Sequence, residues 1–67
     1  MTDTKRLEEI IASKGLKSSY VAEKLGISYP SFWNKMTGKR QFKVSEIGTL
    51  KEILGLTKAE TYDIFLG

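Results

Sequence analysis

The 67-residue sequence predicts a single all-α domain built from five short helices. Apolar residues recur three and four positions apart, which is the spacing of one helix face. No segment alternates apolar and polar residues as a β-strand does, and glycines stand where helices would end. A chain of this length buries only about 60% of its unfolded surface, so we expect one small core.

The composition limits the classes of function. The chain has no cysteine and no histidine, which removes disulfides, the usual zinc sites and every Ser-His or Cys-His nucleophile. The adjacent Glu8 and Glu9 point to different sides of a helix, and no other carboxylates have a sequence reason to converge. We therefore expect a binding module without enzymatic activity, cofactor or metal. No apolar run reaches the ~20 residues of a membrane span, and residues 1–5 lack a signal-peptide core, so we expect a cytoplasmic location.

Helices 1 and 2 follow from apolar stripes. Helix 1 is expected over residues 4–14 and ends at Gly15, and helix 2 is expected over residues 18–25. Their inward-facing residues are Leu7, Ile10, Ile11, Val21, Ala22 and Leu25. The start of helix 2 is poorly signalled, because neither Ser18 nor Ser19 is followed three residues later by Glu or Gln.

A tight helix-turn-helix is predicted by the spacing of Ala22, Gly26 and Ile27. The small side chain of Ala22 lets two helices touch, and Ile27 fills the corner between them. Gly26 supplies a left-handed turn that a side chain would resist. Two helices held at a fixed angle in this way can dock into a DNA groove.

Helix 3 is expected over residues 28–37. Ser28 is a good N-cap, and Pro30 is tolerated because the first-turn amides lack helical partners. Gly38 ends the helix.

The two faces of helix 3 follow from a rotation of ~100° per residue. Phe32 and Met36 nearly coincide and define the buried face. The opposite face carries Pro30, Ser31 and Asn34. Lys35 flanks one side, and Trp33 flanks the other, where it fits either a half-buried core position or a DNA contact.

The exposed residues of this region suit the reading of DNA bases. Asn34 can form a bidentate pair with adenine, and Tyr29, at the tip of the helix, can contact a thymine methyl or a phosphate. The hydroxyls of Ser28 and Ser31 can donate or accept hydrogen bonds. Free backbone amides near Ser18, at the start of helix 2, can hold a further phosphate.

A basic stretch of sequence overlaps and follows helix 3. Residues 30–44 contain four basic residues and no acidic one, and the basic residues are Lys35, Lys39, Arg40 and Lys43. Residues 44–67 contain two lysines and four acidic residues. The net charge of +3 is mild, but a basic centre implies an anionic partner, of which nucleic acid is the first candidate. We expect the four basic residues to contact phosphates, which position a protein without specifying sequence.

Helix 4 is expected over residues 44–54, and helix 5 begins after a capping box formed by Thr57 and Glu60. The apolar residues in register on helix 4 are Val44, Ile47, Leu50 and Leu54. Phe42 is expected to anchor the basic stretch to the core. Gly48 costs about 1 kcal/mol relative to alanine, so either a neighbour packs closely there or the helix is locally loose.

The chain resembles the Cro/repressor-type (Xre-like) helix-turn-helix family of phage and bacterial regulators. The resemblance is carried by the spacing of Val21-Ala22, Leu25-Gly26-Ile27, Phe32 and Gly38. The stretches SFWNKMTGKRQF and SEIGTLKEILGL, with the ending IFLG, are similar to a prophage-associated branch. The similarity covers about residues 4–67. It implies a compact five-helix, lambda-repressor-like domain that binds operator DNA with helix 3 in the major groove.

The resemblance also implies roles for particular residues. The base-reading positions of the family fall on Tyr29, Pro30 and Asn34, its phosphate-contacting position on helix 2 falls on Ser18, and its basic loop matches Lys39 and Arg40. Ser18 is shorter than the glutamine often found there, and Pro30 cannot hydrogen-bond a base edge. Lys17 stands where the family usually has a Ser or Thr cap. We therefore expect specificity to rest partly on DNA shape.

One helix in the major groove covers only a few base pairs. We therefore expect a two-fold homodimer on a palindrome with half-sites ~34 Å apart. We expect this dimer to be weak or to form only on DNA. Tyr62, Phe65 and Leu66 are candidates for its seam, and the alternative is that they close the monomer core over helix 1. The main hypothesis is a sequence-specific transcriptional regulator. The alternative is a protein-interaction module of the same fold, an antitoxin or a subunit of a larger regulator, that binds its partner through the apolar C-terminal helix.

Overall fold

The computed structural model describes residues 1–67 and contains five α-helices and no β-strand. They are α1 (Thr4–Ser13), α2 (Ser18–Leu25), α3 (Tyr29–Met36), α4 (Val44–Leu54) and α5 (Lys58–Phe65). The predicted all-α class with five helices is confirmed. The predicted bounds of α2 and α4 are the observed ones, and those of α1 and α3 differ only at capping residues. The longest helix has 11 residues, and no helix is long and apolar enough to cross a membrane.

Side-chain caps begin three of the helices. The Asp3 carboxylate accepts a hydrogen bond from the Arg6 N–H at 3.1 Å before α1, and Ser28 caps α3. Thr57 and Glu60 form the predicted capping box before α5, with distances of 3.0 and 2.9 Å. The N-cap of α2 is Lys17, which forms no side-chain cap, in agreement with the poor start signal.

The core is one cluster to which every helix contributes. Its twelve members are Leu7, Ile11, Val21, Ala22, Phe32, Met36, Phe42, Leu50, Leu54, Leu56, Ile64 and Phe65. Helix α2 packs against both α3 and α4, and α5 packs against α1 and α4, whereas α3 packs mainly on α2. Because α3 has few other neighbours, one long side of it remains open to solvent.

Phe42 is the core anchor that the sequence predicts. Its ring is buried and lies nearly perpendicular to the ring of Phe65, with 5.9 Å between the centroids. Of the two alternatives for Phe65, the structure supports a place in the monomer core rather than in a dimer seam, because Phe65 could leave this contact only by opening the core. Tyr62 and Leu66 remain exposed.

The predicted core register of α4 is wrong at Val44. The side chain of Val44 is 86% exposed, whereas Leu50 and Leu54 are buried and Ile47 is partly buried. Val44 is the first residue of α4, and its side chain does not join the core cluster. The buried residue of the first turn is Glu46 instead.

Two glycines have opposite roles. Gly26 has a left-handed conformation with φ of 72°, and the Ile27 N–H after it donates to the Ala22 carbonyl at 3.1 Å, which closes α2. Gly48 lies in the middle of α4, and no atom outside its own stretch of helix lies within 4 Å of the position that a Cβ atom would take. The first of the two explanations offered for Gly48, that a neighbour packs closely against it, is therefore wrong.

These glycines give a matched pair of substitutions. We expect Gly26→Ala to lower the free energy of unfolding by about 1–2 kcal/mol, because alanine resists the left-handed conformation. We expect Gly48→Ala to raise it by about 0.4–1 kcal/mol, because alanine is helical at no steric cost there. Urea denaturation of both variants measures the difference, and a Gly26→Ala variant as stable as the wild type would contradict this account of the α2–α3 turn.

Candidate nucleic-acid interface

The open side of α3 carries the polar residues that the helical rotation places there. Pro30 and Asn34 are exposed, Tyr29 is 50% exposed, and Ser31 is half-buried. The Ser28 hydroxyl accepts a hydrogen bond from the Ser31 N–H at 3.2 Å and donates to the Ser31 Oγ at 3.0 Å. Ser28 is therefore occupied with capping the helix, and the hydroxyl proton of Ser31 is the one left for an external acceptor.

Aromatic packing supports the N-terminal end of this face. The ring of Trp33 lies edge-on to Phe32, with 5.5 Å between centroids, and edge-on to Tyr29, with 6.1 Å. Phe32 is fully buried, and Trp33 is half-buried against the core. Of the two alternatives for Trp33, the structure bears out the half-buried core position. Trp33 thus connects the exposed Tyr29 ring to the rigid interior.

Three exposed cations lie in the segment that follows α3. Lys39, Arg40 and Lys43 are exposed, and none of them has a carboxylate partner within 4 Å. The backbone N–H groups of Lys39 and Arg40 both donate to the Asn34 carbonyl, at 2.9 and 3.1 Å. These bonds hold the start of the cationic loop, which we define as residues 37–43, against the C-terminal end of the exposed face of α3.

Lys35 does not belong to this surface, which corrects the expectation that it contacts a phosphate. Its residue is only 6% exposed, and its Nζ atom donates to both carboxylate oxygens of Glu46 at 2.6 Å. Lys35 follows Phe32 by three positions and precedes Met36, so it lies at the edge of the buried face. Its charge is neutralised inside the protein.

Glu46 is the residue near this site that the sequence reasoning missed. Its carboxylate also accepts a hydrogen bond from the Lys43 N–H at 2.7 Å, which caps the start of α4. A glutamate three residues after the N-cap was the available signal. Burial raises the pKa of Glu46, but the hydrogen bonds from Lys35 and the Lys43 N–H and the charges of both lysines more than offset it, so its pKa lies below the ordinary 4.5.

The electrostatic character of the surface follows from this pairing. The chain has no acidic residue between Glu23 and Glu46, and Glu46 is buried with Lys35. The α3 face and the cationic loop therefore form a continuous stretch with positive side chains and no exposed carboxylate. Ser18, which is half-buried, begins α2, whose first amides receive no side-chain cap. Such amides can donate hydrogen bonds to a bound anion.

The one cavity of the protein lies between residues 1–4 and the cationic loop. Its volume is about 150 Å³, it is lined mainly by polar residues, and no carboxylate is among them. Sites for drug-sized ligands occupy roughly 300–1,000 Å³. This cleft is therefore smaller than such sites.

No family model, curated protein or solved structure matches the chain. The resemblance to Cro/repressor-type regulators therefore rests on the residues quoted for it.

The pKa of Glu46 makes folding stability depend on pH. Because this pKa is lowered by folding, its stabilising contribution is present above pH 4.5 and is lost as the pH falls through the lower pKa of the folded state. We expect Glu46→Gln to lower the free energy of unfolding at neutral pH by up to about 3 kcal/mol. The gap between wild type and variant should narrow below pH 4.5.

Urea denaturation at several pH values measures this gap. The other carboxylate with a lowered pKa, Glu60, is present in both proteins and cancels in the comparison. Glu52→Gln removes an exposed carboxylate of the same helix and serves as the control, with no expected change beyond about 0.5 kcal/mol. A gap for Glu46→Gln that is independent of pH would contradict the role assigned to the ion pair.

Proposed function

We propose that this protein is a sequence-specific DNA-binding transcriptional regulator of the Cro/repressor type. In this proposal α2 and α3 act as a helix-turn-helix, and α3 enters the major groove of operator DNA. The observation that carries it is the exposed polar face of α3, which continues into three cations without carboxylate partners. Such a regulator, encoded by a prophage or a bacterial chromosome, acts in the cytoplasm, where the DNA is.

The proposal divides the surface into reading and positioning residues. Asn34 pairs with adenine in the major groove, and Ser31 donates its free hydroxyl proton to a base or phosphate. Tyr29 and Pro30 offer apolar contact to thymine methyl groups. Positioning on the phosphates falls to the backbone amides at Ser18 and to Lys39, Arg40 and Lys43. The small number of reading groups favours a contribution of DNA shape to specificity.

A homodimer on a palindromic operator completes the proposal. The α3 helix has eight residues and covers only a few base pairs, so two copies with α3 helices ~34 Å apart supply the affinity of a full site. Tyr62 and Leu66 lie one turn apart on the last helix and its cap, and they are 61% and 68% exposed. They form the dimer surface in this arrangement.

The exposure of Tyr62 and Leu66 also favours a second candidate function. An exposed apolar pair next to the acidic Asp63 also suits a protein partner, as expected for an antitoxin or for a subunit of a larger regulator. This alternative leaves the cationic loop without a role, which is the reason that we prefer the DNA-binding function.

Selection of bound duplexes from a random pool at moderate salt tests the proposal. We expect enrichment of a palindromic consensus with half-site centres ~34 Å apart. The logarithm of the affinity for that consensus should fall by ~0.9 per neutralised phosphate for each unit of log salt. Failure to enrich any sequence, with no binding at low ionic strength, would favour the protein-interaction module.

Asn34 and Lys39 provide a matched pair of variants for the selected duplex. We expect Asn34→Ala to cost about 1–3 kcal/mol on the consensus and to relax preference at one base position. We expect Lys39→Ala to weaken all sequences alike and to reduce the salt slope by ~0.9. Titrations on the consensus and on a scrambled duplex separate the two effects, and an equal loss on both duplexes for Asn34→Ala would count against base reading by α3.

A further inference from the structure

The Lys35–Glu46 pair joins the two ends of the cationic loop. Lys35 lies in the last turn of α3, Glu46 lies in the first turn of α4, and the whole of residues 37–43 lies between them. The Lys35 Nζ atom bonds both carboxylate oxygens at 2.6 Å, and both side chains are buried. The pair therefore links the two ends of the loop that carries all three exposed cations of the proposed phosphate-binding surface, Lys39, Arg40 and Lys43.

The same carboxylate also holds the backbone at the far end of the loop. Glu46 Oε1 accepts the Lys43 N–H at 2.7 Å, and at the near end the Asn34 carbonyl accepts the N–H groups of Lys39 and Arg40. Phe42 secures the loop between these points through its contact with Phe65. The backbone of the loop is thus held in place while its cationic side chains remain in solvent.

Buried ion pairs in general contribute little to the stability of a fold. Removing two charges from water costs several kcal/mol for each ion, and an apolar pair of similar size is often as stable or more stable. An apolar pair would, however, leave the Lys43 N–H without its acceptor and would not fix the direction of approach of α3 and α4. The property that this pair adds is therefore the geometry of the loop.

We propose that Lys35 and Glu46 are positioning residues that hold the cationic loop in the conformation in which Lys39, Arg40 and Lys43 meet DNA phosphates. Neither residue contacts DNA itself. The inference rests on the proposed DNA-binding function, and it adds that a buried pair, rather than another surface cation, sets the affinity of the phosphate contacts. The loop geometry can be tested without DNA.

The double variant Lys35→Met/Glu46→Leu tests this inference. We expect the variant to stay folded, with a free energy of unfolding in urea close to that of the wild type, because relief from burying two charges offsets the loss of the acceptor for the Lys43 N–H. The backbone amides of residues 38–43 should lose rigidity in heteronuclear NOE measurements without DNA. Affinity for the selected duplex should fall about tenfold, with the base preference unchanged.

Two further variants complete the experiment. Lys58→Met/Glu52→Leu removes the same charges from exposed positions and is expected to change neither loop rigidity nor affinity beyond twofold. Glu46→Gln keeps one oxygen that can accept from both the Lys43 N–H and the Lys35 Nζ atom but loses the negative charge, so it should lower stability and leave the loop ordered.

Each outcome decides the inference. A double variant that fails to fold assigns the pair to stability and overturns the inference. A folded double variant that keeps either a rigid loop or wild-type affinity for the selected duplex also overturns it. A wild-type protein that binds no duplex, together with a loosened loop in the double variant, refutes the proposed function and leaves the positioning of the loop established.

Discussion

Burial of Phe32 is the constraint on which the rest of the surface depends. This ring lies in the core with no exposure, and Met36 follows it one turn later on the same side. The two residues fix the rotation of α3 about its axis, because turning the helix would expose them at a cost of about 1.5–3 kcal/mol each. Asn34 is directed to solvent as a consequence. The left-handed Gly26 then fixes the angle at which α3 leaves α2.

One buried ion pair, between Lys35 and Glu46, determines which charges remain on the surface near α3. Glu46 is the first acidic residue after Glu23, and it is withdrawn from the surface by Lys35. A surface that would otherwise hold four cations and a carboxylate therefore holds three cations, those of Lys39, Arg40 and Lys43. Because the salt dependence of binding follows the number of cations that neutralise phosphates, we expect three such contacts from this segment rather than four.

The features that could be predicted are those encoded within a few residues. Helical periodicity, Gly26 and the Thr57 capping box specify local geometry, and the five helices follow from such signals. Lys35 and Val44 were misassigned because their surroundings depend on how α3 and α4 meet, which is a contact distant in sequence. The polar face of α3 was predictable for the opposite reason, since it needs only the buried position of Phe32. The partner of this face stays a proposal, because groove binding is a property of two molecules.

Chemical-shift mapping of the intact chain during addition of a duplex tests the central claim most directly. The account predicts that the amide shifts concentrate on α3 and the cationic loop, including Tyr29 and Asn34, and that they reverse on addition of salt. Trp33, the only tryptophan of the chain, should report the same event by fluorescence. Shifts confined to Tyr62 and its neighbours on α5, with the α3 face unchanged, would contradict the account.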